Sequence, residues 1–399
     1  MEIQSGTLTN LDATVVNLIV IALICVGVLV SIFKLAQKRN DKLVSGHCLF
    51  NMRTRQPQEL PSSFHGERPT PDDAVVNYNT SLPDELDYTG EFGPELVLFL
   101  PFCNWLSKMG LLKNRRIRTY RGMSCFYDDL DCLEIIEKDE QRIYVPPKNR
   151  PSWLPARDEH NFDNQGRPPQ HYYPDLRAKF RNLPLLRELR NLGRPLLIIH
   201  NKHNDEWGIG PVNHISLASL DKIFQKFKTR FAIIYIRHGI EKKDANFSDD
   251  HNTPQHFDDR CLLDCHPEVY VFDDLYSLHR AEGGAHDLNT FKNILYSHCY
   301  HFISSQGGGA HHIALFSGSF LAILHRRGSE EHWAYSDGYY SFMANVPPIR
   351  VICRTEGELL SAISLLPNTS IYEDRVLLHA GSEELLTEFS PYTIGIRLS

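Results

Sequence analysis

Apolar and polar positions divide this chain into three stretches of different character. From Ala13 to Phe33 the run ATVVNLIVIALICVGVLVSIF carries no charge, and about 20 apolar residues are what a helix needs to cross a hydrocarbon core. The pattern therefore predicts a transmembrane helix over 13–33 behind a short tail, 1–12. A cleaved leader would start with basic residues, whereas this tail offers Glu2 and Asp12 and neither lysine nor arginine. Lys34, Lys38, Arg39 and Lys42 follow the span, so the positive-inside rule places the body on the cytoplasmic side. Residues 34–85 continue as a basic flank and a tether, TRQPQELPSSFHGERPTPDD, whose prolines and polar residues resist helix and sheet alike.

The second stretch, 86–190, reads as a first α/β domain. Leu96 to Leu100 is predicted as a buried strand followed by a short helix, with another strand near Ile117 to Tyr120. The Pro-interrupted NRPSWLPARDEHNFDNQGRPPQHYYP follows, and DLRAKFRNLPLLRELRNLG reads as a helical connection stopped by Gly193.

The third stretch, 191–399, alternates regularly. Short apolar runs at Pro195 to His200, Phe231 to Ile236, Val269 to Phe272, His301 to Ser304, Phe320 to Leu324 and Arg350 to Cys353 predict strands. Amphipathic segments between them, SLASLDKIFQKF, LNTFKNILYSH, GAHHIALFSG and TEGELLSAISLL, predict helices. Continuous apolar strands separated by such helices are the signature of a parallel sheet covered on both faces.

Composition changes this picture little. The chain has 399 residues, 42% hydrophobic and 23% charged, which is ordinary for folded protein. A net charge of -7 gives no global case for nucleic acid as a partner. Nine cysteines are scattered with no paired CxxC, and Cys261 and Cys265 form the only local pair. Three Asn-x-Ser/Thr sequons, at Asn79, Asn246 and Asn368, would suit a lumenal body, against the direction of the flanking charges.

Candidate chemistry gathers where predicted strands end, which is where open parallel sheets bind ligands. After the first strand of the third stretch come His200, Asn201, His203, Asp205 and Glu206; after the second, Arg237 and His238; after the fourth, Ser304, Ser305, Gln306 and the glycines 307–309. An arginine fork can grip two phosphate oxygens, and bare glycine backbone at a helix start admits a diphosphate. The same glycines would also serve a tight strand-to-helix turn without a ligand. Glu330 and Glu331, just beyond Arg326 and Arg327, fit either a ribose contact or pairing with those arginines.

The stretches IIYIRHG and FISSQGGGAHHIALFSG together resemble the donor half of GT-B glycosyltransferases, especially the fucosyltransferase-like superfamily, over about residues 190–365. The resemblance implies an α/β body of two Rossmann-like domains, with 86–190 as acceptor domain and 191–399 as nucleotide-sugar domain. It implies a nucleoside diphosphate sugar as donor, a glycan or lipid-linked acceptor, and no metal or other cofactor. Arg237, His238, Ser305, Gln306, Gly308, His311 and Glu330 then become candidate donor contacts, and His200, Asp205 and Glu206 candidate catalytic residues. Residues 237–239 read Arg-His-Gly where those enzymes usually carry a second arginine or a Gly-Asp or Thr-Asp continuation. YIRHGIE also resembles the Arg-His-Gly motif of histidine phosphatases, although that motif lies on their first strand. A membrane-tethered protein that binds a sugar nucleotide without turnover is the third reading.

Overall fold

The computed structural model describes residues 82–154, 172–238, 255–284, 286–335, 339–341, 343–372 and 374–379. The expected membrane span, Asn79 and Asn246 lie outside them. Among the described residues no helix is long and apolar enough to cross a membrane.

The protein is α/β with parallel sheets. Strands β1 (Glu85–Asp87), β2 (Arg116–Tyr120) and β3 (Glu134–Lys138) form a three-stranded parallel sheet in sequence order. A second sheet contains β4 (Leu196–Asn201), β5 (Ala232–Arg237), β6 (Tyr270–Val271), β7 (His301–Ser305), β8 (Phe320–Leu324) and β9 (Ile349–Cys353). Its order is β6-β5-β4-β7-β8-β9, all parallel. A small antiparallel pair, β10 (Thr369–Tyr372) and β11 (Arg375–Leu378), completes the strands.

All six predicted strands of the third stretch are present within one or two residues. They alternate between two cores, as a period of two requires. Leu197, Ile199, Ile233, Tyr235, Ile303, Phe320 and Ala322 enter one core, closed by Leu220, Ile223, Phe224 and Phe227 of α5 (Leu217–Phe227). Leu196, Ile198, Ala232, Ile234, Phe302, Leu321 and Ile323 enter the other, with Phe291, Ile294 and Leu295 of α8 (Leu288–His298). Each helix has a side-chain cap: Ser216 accepts from Ser219 N, and Asp287 accepts from Asn289 N and Thr290 N, both at 2.9 Å.

The predicted strand at Leu96 to Leu100 is not a strand. Phe92–Pro94 (α1), a π-helical turn at Glu95–Phe99 and Leu100–Lys108 (α2) form one continuous helical run. From Glu95 to Leu106 the run is buried on every side, so its apolar residues lack the one-sided period that separates a helix from a buried strand. Glu95, fully buried, is satisfied by Arg142 at 2.6 Å, Tyr127 at 3.1 Å and Thr119. The helical connection before Gly193 is two short helices, α3 (Leu176–Arg181) and α4 (Arg187–Asn191).

The division expected at residue 190 separates the two sheets but not two cores. Leu86, Phe99, Leu106, Ile117 and Phe126 belong to the same buried cluster as Ile198, Phe302 and Ile313, and the described residues form one compact unit. Arg177 reinforces the junction: its guanidinium donates to the carbonyls of Ser317 at 2.7 Å and Ser297 at 2.5 Å and to Ser319 Oγ at 2.7 Å.

Candidate functional site

The strand order of the large sheet reverses between β4 and β7. One chain direction leads outward through β5 and β6, the other through β8 and β9, so the connections leave this point on opposite faces and open a crevice beyond the carboxyl ends of β4 and β7. Two sequence motifs meet there. His200 ends up opposite Ser304 in the β4–β7 register, and Ser305 Oγ reaches His200 O at 3.4 Å.

The three glycines of this crevice have separate physical reasons. Gly307 caps the start of α9 (Gly308–Ala314) at φ +116°, a conformation L side chains rarely adopt. Gly308 faces α1, where an added Cβ would stand 3.0 Å from Phe92 Cδ1 and 3.6 Å from Gly93 N. Gly309 leaves room for the His200 ring, since a Cβ there would come within 2.9 Å of Cγ and overlap Cε1 and Nδ1. Two of the three glycines thus admit protein rather than ligand. Gly309→Ala is expected to cost about 1–3 kcal/mol through this overlap. Gly357→Ala is the matched control, because the nearest atom to its Cβ is Thr355 Oγ1 at 3.8 Å, and it should be neutral or gain up to about 1 kcal/mol. Equal urea midpoints for the two variants would show that the His200 ring does not press on Gly309.

The cation at the crevice is one the motifs did not single out. Lys202 Nζ lies 2.9 Å from Glu206 Oε2 and 3.5 Å from Gln306 Oε1, and a Cβ on Gly307 would sit 3.5 Å from it. The ammonium therefore stands over the entrance to α9. With only seven residues that helix carries a weak dipole, so Lys202 is the main positive charge there. Gln306 also donates to Arg327 O at 3.5 Å, and Glu330 packs beside it across Gly328.

Other predicted residues have different tasks. Glu206 accepts from Asn213 N at 2.8 Å, Asn213 Nδ2 at 2.8 Å and Val212 N at 3.2 Å besides Lys202. Burial raises its proton affinity, but Lys202 and Asn213 outweigh that and hold the carboxyl below its ordinary range. Asp205 accepts from Gly210 N at 2.7 Å. Both carboxylates shape the loop 205–213 and are poorly placed to act as bases. His200 is buried and held neutral, its pKa pushed down to about 3 by burial and the nearby Lys292 and Lys202. His311 is packed inward, with Nδ1 2.9 Å from Tyr340 OH and its ring against Trp333.

Arg237 does not present its fork to the crevice. Nη2 meets Asp259 Oδ1 at 2.7 Å while Nε meets Oδ2, and Tyr235 OH donates to the same carboxylate at 2.9 Å. Both Arg237 and Asp259 are buried. The sequence contained no signal for this pairing, because Asp259, at the start of α6 (Asp259–Asp264), lies 22 residues away. The arginines after β8 also differ from expectation: Arg326 pairs with Glu356, and Glu331 with Arg354. Cys261 and Cys265 are free and exposed, and no group of three metal-ligating side chains occurs among the described residues.

His238 belongs to a neighbouring cleft of about 190 Å³ that joins the carboxyl ends of the two sheets. Arg121, Ser124 and Glu137 line it from the small sheet, and Asp287 and Lys292 from α8, with Phe92, Arg142 and Tyr276 around them. The His238 ring stands 5.6 Å from that of His200, and burial, with Lys292 and His200 nearby, holds it neutral. Comparison of the chain with protein-family models, curated proteins and solved structures gives no match.

Proposed function

We propose that this chain is a membrane-anchored glycosyltransferase of GT-B type that takes a sugar from a nucleoside diphosphate donor and gives it to a glycan or lipid-linked acceptor. One observation carries the reading: Lys202, Gln306 and the Gly307 backbone converge at the switch point of a six-stranded parallel sheet, the place where such sheets take nucleotides. The diphosphate lies against Lys202 beside Gly307, whose amide donates to Tyr335 OH at 3.4 Å. Lys202 offsets the charge that develops on the leaving group as the glycosidic bond breaks. The acceptor enters the adjoining cleft, which His238 lines as a neutral ring. Glu137, from the small sheet, and Asp287, from α8, line the same cleft and suit the hydroxyls of a glycan.

This reading moves the phosphate contact from Arg237 to Lys202. The engagement of Arg237 by Asp259 also weakens the phosphohydrolase alternative, which needs that arginine on phosphate.

Lys202→Ala is expected to weaken GDP, UDP, CDP or ADP binding, whichever the parent takes, by roughly ten- to a hundredfold, the worth of one charge-assisted phosphate contact. The free nucleoside should bind the variant and the parent alike. Calorimetry on the full-length protein decides it, and equal diphosphate affinities would remove Lys202 from the site. Radiolabelled sugar transfer, with hydrolysis and mere binding as the competing results, separates a transferase from a nucleotide-binding protein.

A further inference from the structure

The loop after β4 holds a tryptophan outward in a backbone conformation that tryptophan rarely adopts. Trp207 has φ +58° and is 54% exposed. L residues are disfavoured there because Cβ crowds the following carbonyl oxygen. The loop is nevertheless rigidly built: Glu206 receives the donors of Val212, Asn213 and Lys202, Asp205 receives Gly210 N, and Glu206 N returns to Gly210 O at 3.1 Å. Two carboxylates are thus committed to fixing a ring in water.

The position of that ring gives the reason. The Arg327 guanidinium lies 5.4 Å over the indole, and it is exposed. Its neighbour Arg326 is saturated by Glu356, Val212 O at 2.8 Å and His214 O at 3.0 Å, while among the described residues the only partner of the Arg327 guanidinium is this indole. The backbone of Arg327 accepts from Asn213 Nδ2 at 2.8 Å and from Gln306 Nε2 at 3.5 Å. One chain of contacts therefore runs from Lys202 and Gln306 through Arg327 to Trp207, on the β8 side of the crevice.

We infer that Trp207 is the stacking platform for the nucleobase of the donor, with Arg327 fixing the indole from one face and the base covering the other. The inference rests on the nucleotide-binding reading of the switch point. A nucleotide with its diphosphate at Lys202 and Gly307 would carry its ribose past Glu330, beside Gln306, and its base outward over Trp207. Stacking tolerates any base, so Trp207 gives affinity for a nucleotide without choosing among them.

The test uses the full-length protein in detergent, with the four nucleoside diphosphates and inorganic pyrophosphate as probes in calorimetry. Trp207→Ala should weaken the best nucleoside diphosphate by roughly five- to a hundredfold and leave pyrophosphate affinity unchanged, and Trp207→Tyr should recover most of the loss. Trp207→Gly should lose the same affinity while raising the melting temperature, because glycine accepts the positive φ. That pairing separates ring loss from unfolding. An unchanged nucleoside diphosphate affinity in Trp207→Ala, or an equal loss of pyrophosphate, overturns the platform. If the parent binds neither pyrophosphate nor any nucleotide, the switch-point site itself falls, and the platform with it; if Lys202→Ala loses binding and Trp207→Ala does not, the platform alone falls.

Discussion

Between pH 6.5 and about 4 the folded protein is expected to lose stability at up to about 5 kcal/mol per pH unit, and so to unfold in mild acid. Four histidines carry most of it, and His203, His214, His279 and His298, also lowered by burial, add to it. Burial pushes His200 down to about 3 and His301 down to about 4, and holds His238 and His312 well below their ordinary range. Lys292 adds to the effect on His200, His238 and His312, Lys202 on His200, Arg237 on His238, and Arg230 on His301. Backbone hydrogen bonding opposes it at His200 and His301, outweighing Arg230 at His301 but not burial.

The sign follows from linkage. Above about pH 6.5 these rings are neutral whether the chain is folded or not, and they cost nothing. As pH falls below that value the unfolded chain takes up protons that the folded one refuses, at about 1.4 kcal/mol per unit for each ring, until the folded pKa is reached. Against a typical stability of about 5–15 kcal/mol, four such rings suffice to unfold the protein within one to three pH units. Against the opposite pull of burial, Lys202 and Asn213 hold the Glu206 carboxyl low, and Ser216, Ser219 and Arg326 hold that of Glu356 low, so both add their loss only below about pH 4.5. Urea midpoints measured from pH 7.5 to 4.5 give the proton uptake directly. A flat profile from 6.5 to 4.5 would mean that the histidines are solvated or paired with an acid.

Arg237→Ala is expected to cost about 3–5 kcal/mol of stability, because it strands Asp259 as a buried carboxylate that keeps, among the described residues, Tyr235 alone as a side-chain donor. Replacing both members by apolar residues, Arg237→Met with Asp259→Leu, should restore most of that loss, since the pair's attraction largely offsets its own desolvation. Chemical denaturation of the parent, the two single variants and the double variant closes the cycle. A donor grip would give the opposite pattern: near-parental stability in Arg237→Ala with nucleoside diphosphate affinity lost. That result would mean that the arginine leaves Asp259 when ligand arrives.

The parallel sheet of the third stretch was legible in the sequence because each strand is buried on both faces. Leu196 to Ile199 or Phe320 to Leu324 must be continuously apolar to fill two cores at once, and the helices between them must keep one apolar face. Local composition therefore determined the six strands to within one or two residues and the gathering of polar residues at strand ends, but not the helices at Asp259–Asp264 and Phe272–Ala281. It failed at Leu96 to Leu100, where burial on all sides erases the period.

Partnership and register are different in kind. That Asp259 would take Arg237, that Arg142 would satisfy Glu95, and that Lys202 rather than an arginine would stand over Gly307 depend on contacts between residues up to 105 positions apart. A charge at a strand end is visible in the sequence, but whether it faces ligand or a buried counter-charge is decided by what the rest of the chain brings against it. The glycines show the same limit. Their presence marked a turn, whereas the need for Gly308 and Gly309 arises from Phe92 and His200, which only the packing of one element on another places there.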